Sequence, residues 1–334
     1  MKLRPSSLVL FSVFAFSAAV SPAQSLGRPQ PPAPVIIDTD IGDDIDDAFA
    51  IDLALTSPEL HILGISAAWG DTSLRARMLD RMTCEVGLTD IPIQAGPTTK
   101  STTPFSQTPW ASAGIARPHS DAVSFLLEQI QRYPGEITLI AIGPLTNIGA
   151  AISRDPATFS KLKRVVMMGG SIYRGYGDSG NAATHGADAE YNIAMDPVAA
   201  QKLFRSGVPI FMMPLDSTQL KFDAAKRSLL ASVSTPMTDS LQVLIAEWSR
   251  STHQVTPTMF DAVAAAYAVD PTSCPTTPLH IEVDEKGFTR VTPGPPNAQA
   301  CLEPKEDAFF KLLMPRLLNQ RLAGEQVCTS LGKK

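Results

Sequence analysis

Val35-Ile36-Ile37-Asp38-Thr39-Asp40-Ile41-Gly42-Asp43-Asp44-Ile45-Asp46-Asp47-Ala48-Phe49-Ala50-Ile51 reads as a buried strand, an acidic turn and the opening of a helix. The run 35–37 is continuously apolar and β-branched, the pattern of a parallel strand covered on both faces. Six aspartates then fall within the ten residues 38–47. Carboxylates within about 4–6 Å of one another raise each other's pKa and destabilise a fold unless something neutralises them. A hard divalent cation is the simplest counter-charge, because Ca²⁺ and Mg²⁺ take oxygen ligands. The end of a strand is also where open α/β sheets place their ligands.

Outward from this stretch, apolar runs alternate with helical patterns. Runs at 61–68, 91–95, 137–142, 164–168 and 208–213 read as strands, and 48–56, 74–86, 122–132, 145–152 and 197–204 as helices. That alternation predicts an α/β fold with an open, mostly parallel sheet flanked by helices. Residues 222–270 turn helical, at 225–233, 236–250 and 261–269, and are expected to form a helical insertion. A small C-terminal hairpin is expected from 279–283 and 288–291, and a helix at 307–318. No Gly/Ser linker or charge block divides these parts, so a single catalytic domain over 35–325 is expected, with a tail at 326–334.

The 334 residues are 44% apolar with a net charge of -5, which suits an enzyme-sized globular protein and argues against nucleic acid as partner. Lys2 and Arg4 precede an apolar stretch from Leu8 to Val20 and then Ser21-Pro22-Ala23. This is the layout of a secretory signal peptide, expected at 1–23, followed by a Pro-rich linker at 24–34. The expectation is a secreted or periplasmic protein with no membrane attachment after signal cleavage. The four cysteines match no metal-binding spacing. Cys84 is expected as a buried thiol, with Cys274–Cys301 or Cys301–Cys328 as a bridge.

Polar residues gather at the predicted strand ends: Trp69-Gly70-Asp71-Thr72, Ile142-Gly143-Pro144-Leu145-Thr146-Asn147, Met167-Met168-Gly169-Gly170 and Pro214-Leu215-Asp216. A parallel sheet brings such ends together. The Gly-rich stretch Gly175-Tyr176-Gly177-Asp178-Ser179-Gly180-Asn181 is a candidate lid or binding loop. It lacks phosphate-loop spacing, and no GxGxxG turn follows the first strand. Glu190 and Asn192 are placed to hydrogen-bond a polyhydroxylated ligand. The aspartate run is not an EF-hand, since counting from Asp38 glycine is fifth rather than sixth. Nor is it a DxDxT phosphatase turn, since Gly42 stands where the threonine would be.

Five motifs taken together resemble the inosine-uridine-preferring nucleoside hydrolases. They are Asp38-Thr39-Asp40-Ile41-Gly42 through Asp46-Asp47-Ala48, Gly143-Pro144-Leu145-Thr146-Asn147-Ile148, Met167-Met168-Gly169-Gly170, Ala189-Glu190-Tyr191-Asn192 followed by Asp196-Pro197, and Phe260-Asp261-Ala262-Val263-Ala264. The similarity runs from about residue 35 to about 318. The resemblance implies Ca²⁺-dependent cleavage of the N-glycosidic bond of ribonucleosides to ribose and free base, by a homo-oligomer, dimer or tetramer. It implies Asp40 as general base, and Asp40, Asp47, Asp261 and the carbonyl of Ile142 as metal ligands. Asp46, Met168, Asn181, Glu190 and Asn192 would hold the ribose, and Asp71 and Phe260 would face the substrate from the base side. A non-catalytic extracellular nucleoside- or sugar-binding relative, or a hydrolase of another N-riboside, is compatible with the same residues.

Three departures from the family pattern bear on these roles. Between Asp40-Ile41-Gly42 and Asp46-Asp47 the chain carries two more residues than the family's shortest form, so Asp43 or Asp44 competes for the roles given to Asp46 and Asp47. Asp71 stands where many members have Asn, and Phe260 where many have His. Both resemble purine-preferring members, which stack the base between aromatic rings, and Trp110 or Trp69 is a candidate second ring. His119 and His185 are candidate acids for the departing base; His253 and His280 look peripheral, and Asp196 and Asp216 read as caps or turn formers.

Overall fold

The computed structural model describes residues 31–177, 186–320 and 328. Among them run eleven strands: β1 (Ala33–Thr39), β2 (Leu60–Ala67), β3 (Ile93–Ala95), β4 (Ser120–Asp121), β5 (Thr138–Ile142), β6 (Arg164–Met168), β7 (Ile210–Met213), β8 (Thr276–Leu279), β9 (Ile281–Val283), β10 (Thr289–Val291) and β11 (Ala298–Cys301). Nine of them form one sheet in the order β4-β3-β2-β1-β5-β6-β7-β11-β8. All neighbours are parallel except β11 and β8. The chain starts in the middle at β1, works outward through β2, β3 and β4, then restarts on the other side at β5. The order reverses between β1 and β5, and a crevice opens at such a switch point beyond the carboxyl ends of the strands. Thr39 pairs opposite Ile142 there, so the aspartate turn and the Gly-Pro-Leu-Thr-Asn turn leave the sheet side by side.

Alternation along the central strands divides the core in two. Val35, Ile37, Ile140 and Ile142 face one cluster, whereas Ile36, Leu139 and Ala141 face the other. The first cluster is covered by helices Asp46–Leu55, Thr72–Glu85, Pro236–Thr252, Phe260–Val269 and Glu306–Leu318; the second by Ala122–Arg132, Thr146–Arg154 and Pro197–Phe204. Each fully buried Ile or Leu contributes roughly 1.5–3 kcal/mol relative to exposure, so both faces tie the strands into a rigid base for the turns above. Helix Asp46–Leu55 is buried on nearly every side and packs against helix Phe260–Val269. That pairing is why neither helix shows a polar face in the sequence.

The expected hairpin forms as β9 and β10, with Thr289 opposite Val283 and Val291 opposite Ile281. The helices of residues 222–270 also form, at Ala224–Ala231, Pro236–Thr252 and Phe260–Val269. Three strands escape the pattern: β4, only two residues long, and β8 and β11, which extend the main sheet past β7; their short, mixed sequences carry no clear period of two. The cysteine expectation is corrected at one position. Cys84, at the last turn of helix Thr72–Glu85, is not a thiol but is bonded to Cys328 across a Cα separation of 5.6 Å. Cys274 and Cys301 form the second bridge, and no free cysteine remains among the described residues. A pairing across 244 residues depends on tertiary placement and leaves no local trace. Residues 1–23, most of 24–34, Asn181, His185 and most of the tail lie outside the described residues. No helix among the described residues is long and apolar enough to cross a membrane.

Candidate active site

The turn after β1 and the first turns of two helices meet at the floor of a pocket of about 290 Å³. That volume is at the lower end of small-molecule sites, which run about 300–1,000 Å³. Asp46 and Asp47 open helix Asp46–Leu55, and Asp261 opens helix Phe260–Val269. Both helix N-termini therefore aim their positive dipole ends at the same point, which favours carboxylates there. One oxygen from each of Asp46, Asp47 and Asp261 lies within 4.8 Å of the others, and all three side chains are buried. Asp46 Oδ2 accepts the backbone N–H of Asp261 at 3.1 Å, and Asp47 Oδ1 accepts the hydroxyl of Thr39.

These carboxylates are held well above the usual range, first by burial and then by neighbouring negative charge: Asp44 acts on Asp46, Asp40 on Asp47 and Asp46 on Asp261. Three buried, mutually repelling carboxylates with free oxygens fit a single divalent cation, and an all-oxygen donor set suits Ca²⁺ or Mg²⁺. Asp40 lies beside them. Burial pushes its pKa up to about 7; the guanidinium of Arg75 opposes this, while the charge of Asp43 adds to it. Gly143 makes the approach possible: a Cβ there would stand 2.8 Å from the Asp40 nitrogen and 2.9 Å from its Oδ1. The adjoining Ile142 ends β5 beside Thr39, at the edge of the aspartate group.

The inserted pair, Asp43 and Asp44, separates. Asp43 Oδ2 is 2.8 Å from Arg75 Nη2, in an ion pair 1% and 7% exposed at the two side chains. Asp44 lines the pocket, its Oδ1 accepting the Ile45 N–H at 2.7 Å. Burial raises its pKa, and the charge of Lys221 pulls it back. Asp38 is a brace beneath the turn: Asn147 Nδ2 donates to its Oδ1 at 2.7 Å, and burial lifts its pKa to about 7.

Glu190, Asn192 and Met168 also line the pocket. Glu190 accepts the N–H groups of Gly170 at 2.7 Å, Asn192 at 2.9 Å and Ile193 at 3.3 Å, fixing both its oxygens. Burial nevertheless raises its pKa to about 7. Asn192 Nδ2 donates to the Met168 carbonyl at 3.2 Å. Another part of the lining, the wall, is aromatic. Phe260 meets Tyr176 edge-on, with centroids 6.2 Å apart and planes at 77°, and Trp248 and Tyr191 complete the lining.

Several expected residues sit elsewhere. Asp71 is exposed and caps helix Thr72–Glu85, accepting the Leu74 N–H at 3.0 Å. Trp110 is buried under Arg81, whose guanidinium carbon lies 3.9 Å from the ring centroid, and Trp69 is outside the pocket lining. His119 Nε2 lies 2.7 Å from Asp80 Oδ2, away from the aspartates. Asp196 and Asp216, by contrast, take the cap and turn roles expected of them: Asp196 caps helix Pro197–Phe204, and Asp216 holds the Ile172 and Tyr173 N–H groups. Tyr176, Trp248 and Arg75 were not singled out from the sequence. Tyr176 lies inside the Gly-rich loop flagged there, and Arg75 is a lone cation on the buried side of a helix.

A family model described as inosine-uridine preferring nucleoside hydrolase matches residues 35–311. Uridine nucleosidase 1 of Arabidopsis thaliana is 36% identical over 203 residues, 56% of this chain and 58% of that protein. The chain spans 58–64% of the length of the fungal and plant curated relatives it matches. Among solved structures, a plant nucleoside hydrolase superimposes with a TM-score of 0.75 at 26% identity, covering 86% of this chain and 99% of that one. A purine-preferring ribonucleoside hydrolase from Gardnerella vaginalis gives 0.71 at 25%, covering 86% and 98%. With the matched region, the sheet order and the aspartate floor in agreement, the chain belongs to the inosine-uridine preferring nucleoside hydrolase family.

Proposed function

We propose that the protein hydrolyses the N-glycosidic bond of ribonucleosides, releasing ribose and free base. The observation that carries this is the floor of the pocket, where Asp46, Asp47 and Asp261 offer converging oxygens with Asp40 alongside. Asp47, Asp261 and the Ile142 carbonyl would hold a Ca²⁺ ion as the resemblance implies, joined by Asp46, expected at the ribose, whose oxygen lies within 4.8 Å of those of Asp47 and Asp261, while Asp40, expected as a ligand too, lies alongside as base. When bound, the ion supplies Lewis acidity toward the attacking water and the ribose hydroxyls. Asp40 takes the proton from that water as its oxygen bonds to C1′. The glycosidic bond breaks with its electron pair moving to the base nitrogen. Carboxylates around the ring favour the positive charge that develops on the sugar. Glu190, Asn192 and the Met168 backbone orient the hydroxyls.

Phe260, Tyr176 and Trp248 form the base side, which supports a preference for purines: a larger ring gains more from stacking and leaves with a proton drawn from water. A second reading, pyrimidine preference, is supported by the uridine specificity named for the Arabidopsis relative. Export is supported by the N-terminal pattern and by two disulfides, which persist in oxidising compartments. Assembly as a dimer or tetramer is part of the same reading, and light scattering on the purified protein measures it. Reducing-sugar release from inosine, adenosine, guanosine, uridine and cytidine, with Ca²⁺ or chelator, tests the function. Release that needs the ion is expected, fastest from the purines; binding without release would replace the hydrolase by a nucleoside-binding relative.

A further inference from the structure

Arg75 is among the largest fully buried side chains, and the mechanism above does not use it. It rises from helix Thr72–Glu85 into the underside of the aspartate turn. Its Nε donates to the Trp69 carbonyl at 2.8 Å, and its Nη1 donates to the carbonyls of Asp40 and of Ile41, the latter at 2.8 Å. Its Nη2 holds Asp43 Oδ2 at 2.8 Å. The guanidinium carbon lies 5.0 Å from the Phe105 ring centroid, and that ring fills the space where a Cβ on Gly42 would stand, 1.9 Å from the nearest carbon. A guanidinium buried this deeply requires a carboxylate, and the two-residue insertion supplies it.

We propose that Arg75 and Asp43 together are a positioning device for Asp40: the guanidinium clasps the Asp40–Ile41 backbone, and Asp43 is consumed in holding the guanidinium instead of joining the metal's ligands. The inference rests on the hydrolase reading above. It explains how a turn two residues longer than the family's shortest form still presents one base and one three-carboxylate floor. Arg supplies a planar fork able to reach several carbonyls at once, which Lys cannot reproduce.

The test uses the full chain, with calcium binding by calorimetry and ribose release measured in parallel. Arg75→Met should lower kcat about 100-fold with KM within about threefold, since a misplaced base harms the chemistry more than binding. It should also tighten Ca²⁺ binding at least about tenfold, because Asp43 becomes an unpaired charge near the ion. Adding Asp43→Asn should return Ca²⁺ affinity to within about threefold of the parent while kcat stays low. Arg75→Lys should recover part of kcat, which a merely structural role would not predict once the fold is intact. If Arg75→Met does not fold, Asp43→Asn alone should weaken Ca²⁺ binding about tenfold. A parent that binds Ca²⁺ and releases ribose, with variants unchanged in both, overturns this inference alone. A parent that does neither overturns the hydrolase reading and this inference with it.

Discussion

The floor and the wall of the pocket are built in different ways. Every carboxylate of the floor sits at a strand end or in the first turn of a buried helix, and Asp40, Asp46, Asp47 and Asp261 are all nearly sealed from solvent. The wall is mixed: Phe260 adjoins Asp261 on helix Phe260–Val269, Trp248 is buried on helix Pro236–Thr252, and Tyr176, in a loop, is 41% exposed. Parts that must hold reacting atoms within a fraction of an ångström are sealed against the sheet, whereas the loop that carries Tyr176 can vary without disturbing it.

The largest effect expected from breaking this division is at the floor. Asp40→Asn, nearly the same shape, should reduce ribose release by about 10²–10⁴ with the melting temperature unchanged or higher. Turnover within tenfold of the parent would remove Asp40 from its role. Next in size is the coupling of cation and pH. Asp38 and Asp40 have folded pKa values of about 7 against an ordinary 3.8, and burial is the first cause in both. The folded state therefore binds more protons than the unfolded state across that interval, and stability falls as pH rises from about 4 to about 7. Exposed capping carboxylates such as Asp155 and Asp223, whose pKa values are lowered, are already ionised there. Melting temperatures in chelator should decline over this window, and Ca²⁺ should restore more at pH 7 than at pH 4. A chelated protein equally stable at both ends would show that the floor needs no cation.

At the wall the effects should be smaller and selective. Trp248→Ala should change the purine-to-pyrimidine ratio of kcat/KM by about tenfold while leaving Ca²⁺ affinity alone, since removing one aromatic contact costs about 1 kcal/mol or somewhat more. A proportional loss on all bases would move Trp248 out of base recognition. Smallest of all, Asp71→Ala should lower stability by about 1 kcal/mol through loss of the helix cap, and leave turnover untouched. A changed KM would return Asp71 to the substrate side.

This difference also decided what could be read from the chain. Val35–Ile37 and the other apolar runs announce the parallel sheet because strands buried on both faces have no choice of composition. Asp46 and Asp47 are legible because they stand between a strand end and a helix start, whereas Asp261 is reached only through the resemblance carried by Phe260-Asp261-Ala262-Val263-Ala264. Tyr176 and Trp248 are 72 residues apart in sequence and meet only through the finished fold. Asp71 misled for a physical reason: a polar residue after a strand serves equally well as a cap for the next helix. Arg75 was silent because a single basic residue in a helical pattern reads as a solvated side chain until its burial is seen. The partner of Cys84, 244 residues away, was out of reach on the same ground.

The hydrogen bond from the Asp261 N–H to Asp46 Oδ2 spans 215 residues of chain. During synthesis, the aspartate turn emerges long before helix Phe260–Val269 exists, and its carboxylates stay hydrated and ionised. A nascent chain that stops short of residue 261 holds at most two members of the three-carboxylate group. Loss of hydration is thus deferred until the later helix docks, so an incomplete chain has no sealed acidic pocket to sequester ions prematurely.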